Sequence, residues 1–183
     1  MSNQPTRLDI STPKYPNTYT LIDSDLFAEL SQLKWHKDSD GYCINKTRSH
    51  LSIHRVIMQA KPGEQVDHIN GNKLDNKRSN LRICTNQENS FNRKIRSEST
   101  NGYKGIEYRL DKQKWRARIA FNSKKLSIGE YKTKEQAAVA YNIAAKYFFK
   151  DFAHLNQISN ESEITDQIKQ KVEKRLATYN LIF

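Results

Sequence analysis

The chain has 183 residues, of which 36% are apolar and 10% aromatic, so it can form one mid-sized domain or two small ones and is not disordered throughout. Its 31 Lys and Arg outnumber its 20 Asp and Glu by 11, and this excess indicates a polyanionic partner, with nucleic acid the leading candidate. No apolar run approaches the roughly 20 residues that cross a bilayer, and the N-terminus lacks the apolar segment of a secretion signal. We therefore expect a cytosolic protein with no membrane partner.

The first half of the chain reads as a small α+β unit. Residues 1–18 are polar and contain three prolines, which predicts a flexible arm. The alternating stretch YTLID then predicts a strand, and DSDLFAELSQL has apolar residues at helical spacing. GYCIN and HLSIHRVIM predict a strand followed by a short apolar segment, which ends at the turn of residues 61–65.

Two cysteines, Cys43 and Cys84, lie far apart in apolar, strand-like surroundings. Neither has the second cysteine or the spaced histidine pair that a tetrahedral zinc site needs, so the sequence does not favour structural zinc. We expect two reduced, buried thiols that act as small apolar side chains.

Residues 66–89, VDHINGNKLDNKRSNLRICTNQEN, combine reactive side chains with turn-forming ones. A strand carries Asp67 and His68, a loop follows, and a second strand, LRICT, leads into a helix. Thr85 and Glu88 have the spacing of a capping box, which predicts that the helix starts right after Thr85.

This ββα hairpin would gather four polar side chains around one point: Asp67, His68, Asn80 and Asn89. Neighbouring strand residues face opposite ways, so Asp67 and His68 would not share a face of a regular strand. We therefore expect a bend or bulge beside Asn70-Gly71 that turns both towards the site.

The stretch resembles the HNH nucleases, and specifically the homing endonucleases of phages and introns. The family motifs D-H-x-N-G, N-L-R and T-x-x-E-N match residues 67–71, 80–82 and 85–89, in the same order. Trp35, Gly41-Tyr42 and His54-Arg55 resemble the segment that commonly precedes these motifs. The resemblance covers residues 19–94 and implies an HNH ββα-metal module there.

This resemblance also implies roles for individual residues. Asp67 and Asn89 would hold a divalent metal, Mg²⁺ or Mn²⁺, because two oxygen ligands suit an ion that keeps several waters. His68 would be the general base, since an imidazole with a pKa near ~6.5 accepts a proton from water at neutral pH. Asn80 would complete the catalytic site by fixing either the loop or the imidazole tautomer. His54 stays open between packing and contact with the site or a DNA phosphate.

Residues 95–101 are polar and short of bulky apolar side chains, as expected of a linker between domains. Beyond them, GIEYR, KWRARIAF and KKLSIGEY predict three short strands, and Thr133 with Gln136 predicts a capping box for the helix that follows. We expect a small three-stranded antiparallel sheet packed on one helix over residues 102–156. Within residues 157–183 four apolar residues predict an amphipathic helix that packs on a domain or on a partner: Ile164, Ile168, Val172 and Leu176.

The second half carries most of the positive charge. Residues 91–125 contain eleven Lys or Arg against three acidic residues, which is +8 of the net +11. Strand alternation turns apolar residues, Tyr108 among them, towards the helix and the basic ones outward. Such a sheet face suits the DNA major groove, which admits a β-ribbon and in which arginine binds guanine.

Residues 102–156 also resemble the DNA-binding domain of the plant ethylene-response factors. The likeness lies in the stretches GYKGI, WRA, IGEY, EQAA with the nearby AY, and HLN. This resemblance implies that cations on the sheet contact the DNA groove or the DNA backbone. Glu107 stands where an arginine is usual and Ser127 where a tryptophan is usual, so the plant target sequence is not expected. The expected DNA-binding residues are Arg93, Lys94, Lys104, Arg109, Arg116, Arg118 and Lys125.

Together these features predict a metal-dependent DNA endonuclease of the homing type, whose C-terminal sheet binds double-stranded DNA and whose HNH module hydrolyses a nearby phosphodiester bond. One HNH site cuts one strand, so the protein would nick as a monomer, or break both strands as a homodimer or by sequential nicking. No small-molecule cofactor is expected, and the location would be the cytoplasm of a bacterium or phage-infected host cell. Two alternatives stay open: a DNA-binding regulator with an inactive HNH scaffold, and a restriction-type HNH nuclease.

Overall fold

The computed structural model describes residues 5–47, 51–92, 101–158 and 166–180. The chain divides into two compact units, Met1–Asn92 (the first unit) and Arg93–Phe183 (the second unit). Helices and antiparallel strands occur in both, which confirms the predicted α+β class. None of the helices in the described ranges has the length and apolar content needed to cross a membrane.

The first unit pairs its strands as β1-β2, β3-β4-β5 and β6-β7, all antiparallel. Its elements are β1 (Pro5–Asp9), β2 (Tyr19–Asp23), α1 (Phe27–Leu30), β3 (His36–Lys37), β4 (Cys43–Asn45), β5 (Leu51–Ser52), α2 (Ile53–Ile57), β6 (Gln65–His68), β7 (Leu81–Cys84) and α3 (Asn86–Phe91). Buried apolar residues from most of these elements form its core: Leu8, Ile10, Ile22, Leu30, Trp35, Cys43, Ile53, Ile57, Val66 and Leu81. Cys43 and Cys84 are free and buried, as predicted, and burial raises the pKa of their thiols to about 12 and about 11.

The prediction of a flexible arm is wrong for residues 5–18. β1 pairs along its whole length with β2, and Leu8 and Ile10 are buried in the core. The prolines are compatible with this hairpin, because Pro5 opens β1 and the other two lie in the loop between β1 and β2. The pairing is made with residues beyond the segment itself, so its local composition did not reveal it.

β2 also anchors the loop that joins β6 to β7. The backbone N–H of Leu21 donates to the carbonyl of Leu74, and the N–H of Asn76 donates to the carbonyl of Leu21, both at 2.8 Å. The hydroxyl of Thr20 donates to the same Leu74 carbonyl at 2.9 Å. The N-terminal hairpin therefore holds the loop that follows His68.

The second unit is the predicted antiparallel sheet packed on one long helix. Its elements are β8 (Ile106–Arg109), β9 (Lys114–Phe121), β10 (Lys124–Tyr131), α4 (Lys134–Phe149) and α5 (Asp166–Asn180), with the strands in the order β10-β9-β8. Thr133 caps α4 by accepting from the N–H of Gln136, as one half of the predicted capping box requires, and the Gln136 side chain accepts from the N–H of Lys132. Small side chains let α4 approach the sheet closely, and five are fully buried: Ala137, Ala138, Ala140, Ala144 and Ala145.

Tyr108 lies on the predicted face of the sheet but is not buried there. By strand register it shares the face of the buried Ile106 and Ala117, yet it is 46% exposed and packs on Trp115, with ring centroids 5.1 Å apart. β8 is a short edge strand, so α4 covers its side chains less than those of β9.

The C-terminal helix α5 packs on α4 and β10, within the second unit. Three of the four predicted apolar residues are buried: Ile168, Val172 and Leu176. The fourth, Ile164, lies outside the described residues. Polar side chains of α5 also donate to carbonyls of the edge strand β10: Lys171 to Glu130 at 2.7 Å, and Arg175 and Tyr179 to Ser127 at 3.0 and 2.8 Å. The helix thus covers an edge that would otherwise present free carbonyls.

Candidate functional site

The predicted ββα hairpin is present and places Asp67 and His68 at the end of β6. β6 pairs with β7 in regular register, with Asp67 opposite Arg82, and α3 follows β7. Thr85 and Glu88 form the predicted capping box, and α3 begins directly after Thr85. Local sequence signals therefore identified these three elements.

Of the bend or bulge expected beside Asn70-Gly71, the bulge is absent from the described pairing of β6 with β7, which is uninterrupted, and the chain bends. A tight turn follows the strand instead, with Gly71 at a φ of +70° and its N–H donating to the His68 carbonyl at 2.8 Å. Asp67 and His68 keep the strand alternation: Asp67 reaches towards α3, whereas His68 contacts Tyr42 on the other side.

The Asp67 carboxylate is buried, with 7% of the residue exposed, and is oriented by two neighbours. Its Oδ2 accepts from Nε and Nη2 of Arg82 at 2.9 and 2.6 Å. The amide Nδ2 of Asn92 donates to Oδ1 and Oδ2 at 3.0 and 2.9 Å. Of these hydrogen bonds, Oδ1 accepts only the one from Asn92. Each carboxylate oxygen has two lone pairs, so Oδ1 keeps one lone pair for a further partner.

Asn92, at the C-terminal end of α3, is the amide that reaches Asp67, whereas the sequence had singled out Asn89. Asn89 is half-buried and lies three residues earlier, on the same side of the helix. This spacing was the signal that could have found Asn92.

Carboxylate and amide oxygens are the donors that Mg²⁺ and Mn²⁺ prefer, so the residues present fit such an ion. Among the described residues, no group of three or more His, Cys, Asp or Glu is arranged to hold a metal ion.

His68 is buried, with 5% of the residue exposed, and its Nε2 lies 3.0 Å from Oδ1 of Asn76. Burial is the largest influence on its pKa and lowers it from 6.5, although the Asn76 hydrogen bond and the charges of Asp67 and Asp75 act the other way. The ring is therefore neutral at neutral pH and has one nitrogen able to accept a proton.

Asn80 ties the loop together and does not contact the imidazole of His68 through any described hydrogen bond. Its Oδ1 accepts from the N–H of Asn70 at 3.0 Å, and its Nδ2 donates to the carbonyl of Asp75 at 2.8 Å. Of the two roles expected for Asn80, the structure supports the loop. The side chain at the imidazole is Asn76, which the sequence analysis did not single out among the turn-forming residues of this loop.

His54 packs against His68. Its ring centroid lies 5.2 Å from that of His68, edge to face, and 5.4 Å from that of Tyr42. Burial, followed by the nearby charge of His68, lowers the pKa of His54 to about 4. Its buried Nδ1 has no hydrogen-bond partner among the described residues. Of the two expected roles, His54 packs, and it does so against the site.

Comparison with known proteins identifies the family. The family model described as HNH endonuclease matches residues 52–91, the segment that contains α2, β6, β7 and α3. An uncharacterized HNH endonuclease of Acanthamoeba polyphaga mimivirus is 35% identical over 147 residues, which are 77% of this chain and 76% of that protein. This chain belongs to the HNH endonucleases. It is thus a nuclease that acts on phosphodiester bonds.

The HNH endonuclease also has a relative in a phage. Protein 3.8 of Escherichia phage T7 is 32% identical over 78 residues, which are 42% of this chain and 64% of that protein. No solved structure matches the chain significantly.

In the second unit of this HNH endonuclease, the sheet arginines are paired with acidic residues. Glu107 of β8 forms ion pairs with both Arg116 and Arg118 of β9, the latter at 3.0 Å. Arg109 pairs with Asp111 at 2.7 Å. The pairs hold the guanidinium groups in place and partly neutralise them, so this face is less positive than the residue count suggested. Glu107 had been noted only as a departure from the plant pattern.

The remaining predicted DNA-binding residues differ in position. Lys125 is exposed and shares the sheet face of the arginines by strand register. Lys104 precedes β8 and is not on that face; its backbone N–H and carbonyl are both bonded by Asn156, and burial lowers the pKa of Lys104 to about 8. Its predicted contact with DNA therefore does not come from the basic sheet face and stays a prediction. Arg93 and Lys94 lie outside the described residues.

A second basic surface lies on the first unit of the HNH endonuclease, where a cavity of about 730 Å³ opens beside β3. Two of its lysines share one aromatic ring: Nζ of Lys14 and Nζ of Lys37 lie 5.3 and 5.1 Å from the ring centroid of Tyr15. Asp9, the acidic residue of the lining, accepts from the N–H of Ser11. We call this surface the lysine cleft and define it by Lys14, Lys34, Lys37 and Lys46.

Proposed function

We propose that the protein is a metal-dependent DNA endonuclease of the homing type, in which Asp67 and Asn89 hold Mg²⁺ or Mn²⁺ and His68 activates water. The observation that carries the proposal is the arrangement at the end of β6. A buried carboxylate with a spare oxygen lone pair lies on one side of the strand, and a buried, neutral imidazole lies on the other.

His68 acts as the general base. It takes a proton from the attacking water, whose oxygen forms a new bond to phosphorus as the bond to the 3′ oxygen breaks. Asp67 and Asn89 would hold a divalent metal, which would supply positive charge to stabilise the phosphorane and the departing oxygen. Arg82 and Asn92 orient the Asp67 carboxylate for metal binding, and Asn80 positions the loop behind the site.

The second unit is the recognition module in this proposal, by its likeness to the ethylene-response-factor domain. Arg109, Arg116, Arg118 and Lys125 share one sheet face, which suits a major groove. The similarity to the mimivirus HNH endonuclease covers more residues than the first unit contains, so it continues into the second unit. One site per chain cuts one strand, which makes nicking the elementary reaction.

The lysine cleft would hold a stretch of DNA backbone for the first unit. Lys14 and Lys37 place two ammonium groups around one ring, and a phosphate between them would offset their mutual repulsion. Contacts of this kind add affinity without sequence preference.

Sequencing of cleaved DNA ends tests the homing type and the recognition module together. Genomic DNA is incubated with the protein and Mg²⁺, and the new ends are ligated to adaptors and sequenced. We expect ends at few positions that share one flanking sequence. The double variant Arg116→Gln, Arg118→Gln should scatter the ends, whereas Lys132→Gln, Lys150→Gln, outside the sheet strands, should not. Scattered ends from the wild type would contradict sequence recognition.

A further inference from the structure

Asn76 connects the proposed base to the N-terminal hairpin. It lies in the loop between β6 and β7 and is fully buried. Its Oδ1 is 3.0 Å from Nε2 of His68, and its Nδ2 is 2.7 Å from the hydroxyl of Thr20 and 3.2 Å from the carbonyl of Lys73. Thr20, on β2, is also fully buried and lies 56 residues away in the sequence.

The partners of Asn76 determine which way its amide points. The Lys73 carbonyl can only accept, so the amide nitrogen must face it, and the amide oxygen must then face His68. The hydroxyl of Thr20 donates to the Leu74 carbonyl at 2.9 Å and therefore accepts from Asn76. The three hydrogen bonds from His68 to Leu74 thus run in one direction.

This direction fixes the proton on His68. An amide oxygen accepts but cannot donate, so Nε2 of His68 must carry the hydrogen. A neutral imidazole has a single N–H, which leaves the lone pair on Nδ1. When Nδ1 takes a proton, Nε2 still donates to Asn76, so the network does not need to rearrange during the reaction.

We propose that Asn76 and Thr20 are positioning residues that hold His68 in its Nε2–H tautomer and make Nδ1 the atom that accepts the proton from water. Their role in cleavage rests on the proposed function of His68 as the base. The tautomer itself is a property of the folded first unit and does not require cleavage. The N-terminal hairpin is therefore part of the catalytic apparatus through Thr20.

The tautomer is measured by ¹⁵N NMR of the full-length protein labelled at histidine, about two pH units above the ordinary imidazole pKa of ~6.5. The signals of His68 are identified by their loss in His68→Gln. We expect a protonated Nε2 and a bare Nδ1 in the wild type. Asn76→Ala should give a mixture of tautomers, whereas Asn76→Asp, which keeps an acceptor at this position, should retain Nε2–H. A wild-type protein with Nδ1–H would overturn the proposal.

Cleavage kinetics provide the second readout. Asn76→Ala should lower kcat about 100-fold with KM little changed, since general-base catalysis contributes 10²–10⁴-fold. Asn45→Ala is the matched control, because Asn45 is equally buried in the same unit and its amide oxygen accepts from Thr47. An unchanged tautomer in folded Asn76→Ala would refute the positioning role even if the wild type cleaves DNA. An inactive wild type with the expected tautomer would instead count against the proposed function alone.

Discussion

Gly105 lies where the backbone before β8 passes against α4, and it gives the second unit a position at which a single methyl group should be costly. Its φ is +73°, a conformation that side chains rarely adopt. A β-carbon there would overlap the ring of Tyr141, which is 2% exposed, and would lie 2.8 Å from the carbonyl of Arg118. Gly102 has nearly the same φ, +75°, but a β-carbon added there would meet no heavy atom of the described residues within 4 Å apart from its neighbours in the chain.

The pair of variants Gly105→Ala and Gly102→Ala therefore separates backbone strain from steric overlap. The left-handed conformation alone should cost about 1 kcal/mol in both variants. Overpacking against a buried ring adds about 2 kcal/mol at Gly105, within the usual range of 1–3. We expect Gly105→Ala to lower the free energy of unfolding by about 3 kcal/mol and Gly102→Ala by about 1.

Hydrogen exchange read by mass spectrometry in peptides of β9 and α4 measures this difference. A gap of about 2 kcal/mol corresponds to roughly 30-fold faster exchange in Gly105→Ala than in Gly102→Ala, since each 1.4 kcal/mol is a factor of ten. Equal exchange in the two variants would show that Tyr141 does not pack on Gly105, and the described contact between α4 and the sheet would be wrong.

Three further predictions concern the first unit. Arg82→Met should lower its stability by about 3 kcal/mol in urea unfolding, because the buried Asp67 carboxylate loses its cationic partner; a change within error would show that Asn92 suffices. Because the pKa of His54 is lowered from 6.5 to about 4, the unfolded chain binds the proton more readily, so stability should fall as pH drops through this window. His54→Gln should flatten that part of a urea-midpoint profile, and an unaltered profile would contradict the reasoning. Lys14→Gln, Lys37→Gln should reduce the slope of log affinity for DNA against log salt by about 1.8, and an unchanged slope would exclude the lysine cleft from DNA binding.

The parts of the fold that the sequence predicted are those set by neighbours in the chain. Thr85 and Glu88 predicted where α3 starts, because in a capping box the side chain of each residue bonds the backbone N–H of the other, three residues away. The three strands of the second unit follow from alternation and turn residues in the same way. Tyr108 is on the predicted face but exposed, because the position of α4 decides how far an edge strand is covered.

The parts that the sequence did not predict depend on contacts between distant residues. β1 was read as a flexible arm because its partner strand and core lie outside the segment. In the sequence, Asn76 is one of several turn-forming residues. In the structure its amide lies between His68 and Thr20, which is 56 positions away. Asn92 lies beyond the motif that drew attention to Asn89; its three-residue spacing from Asn89 was a signal in the sequence, but its contact with Asp67 is seen only in the structure.

The central claim is that His68 is the base of a metal-dependent DNA cleavage site, and the most direct test is conversion of supercoiled plasmid. Wild type and His68→Ala are compared on DNA that both bind, with Mg²⁺ or with EDTA. We predict relaxed plasmid from the wild type with Mg²⁺, none with EDTA, and at least 100-fold slower conversion by His68→Ala, in line with the loss of general-base catalysis. Equal conversion by the two proteins, or conversion in EDTA, would contradict the account.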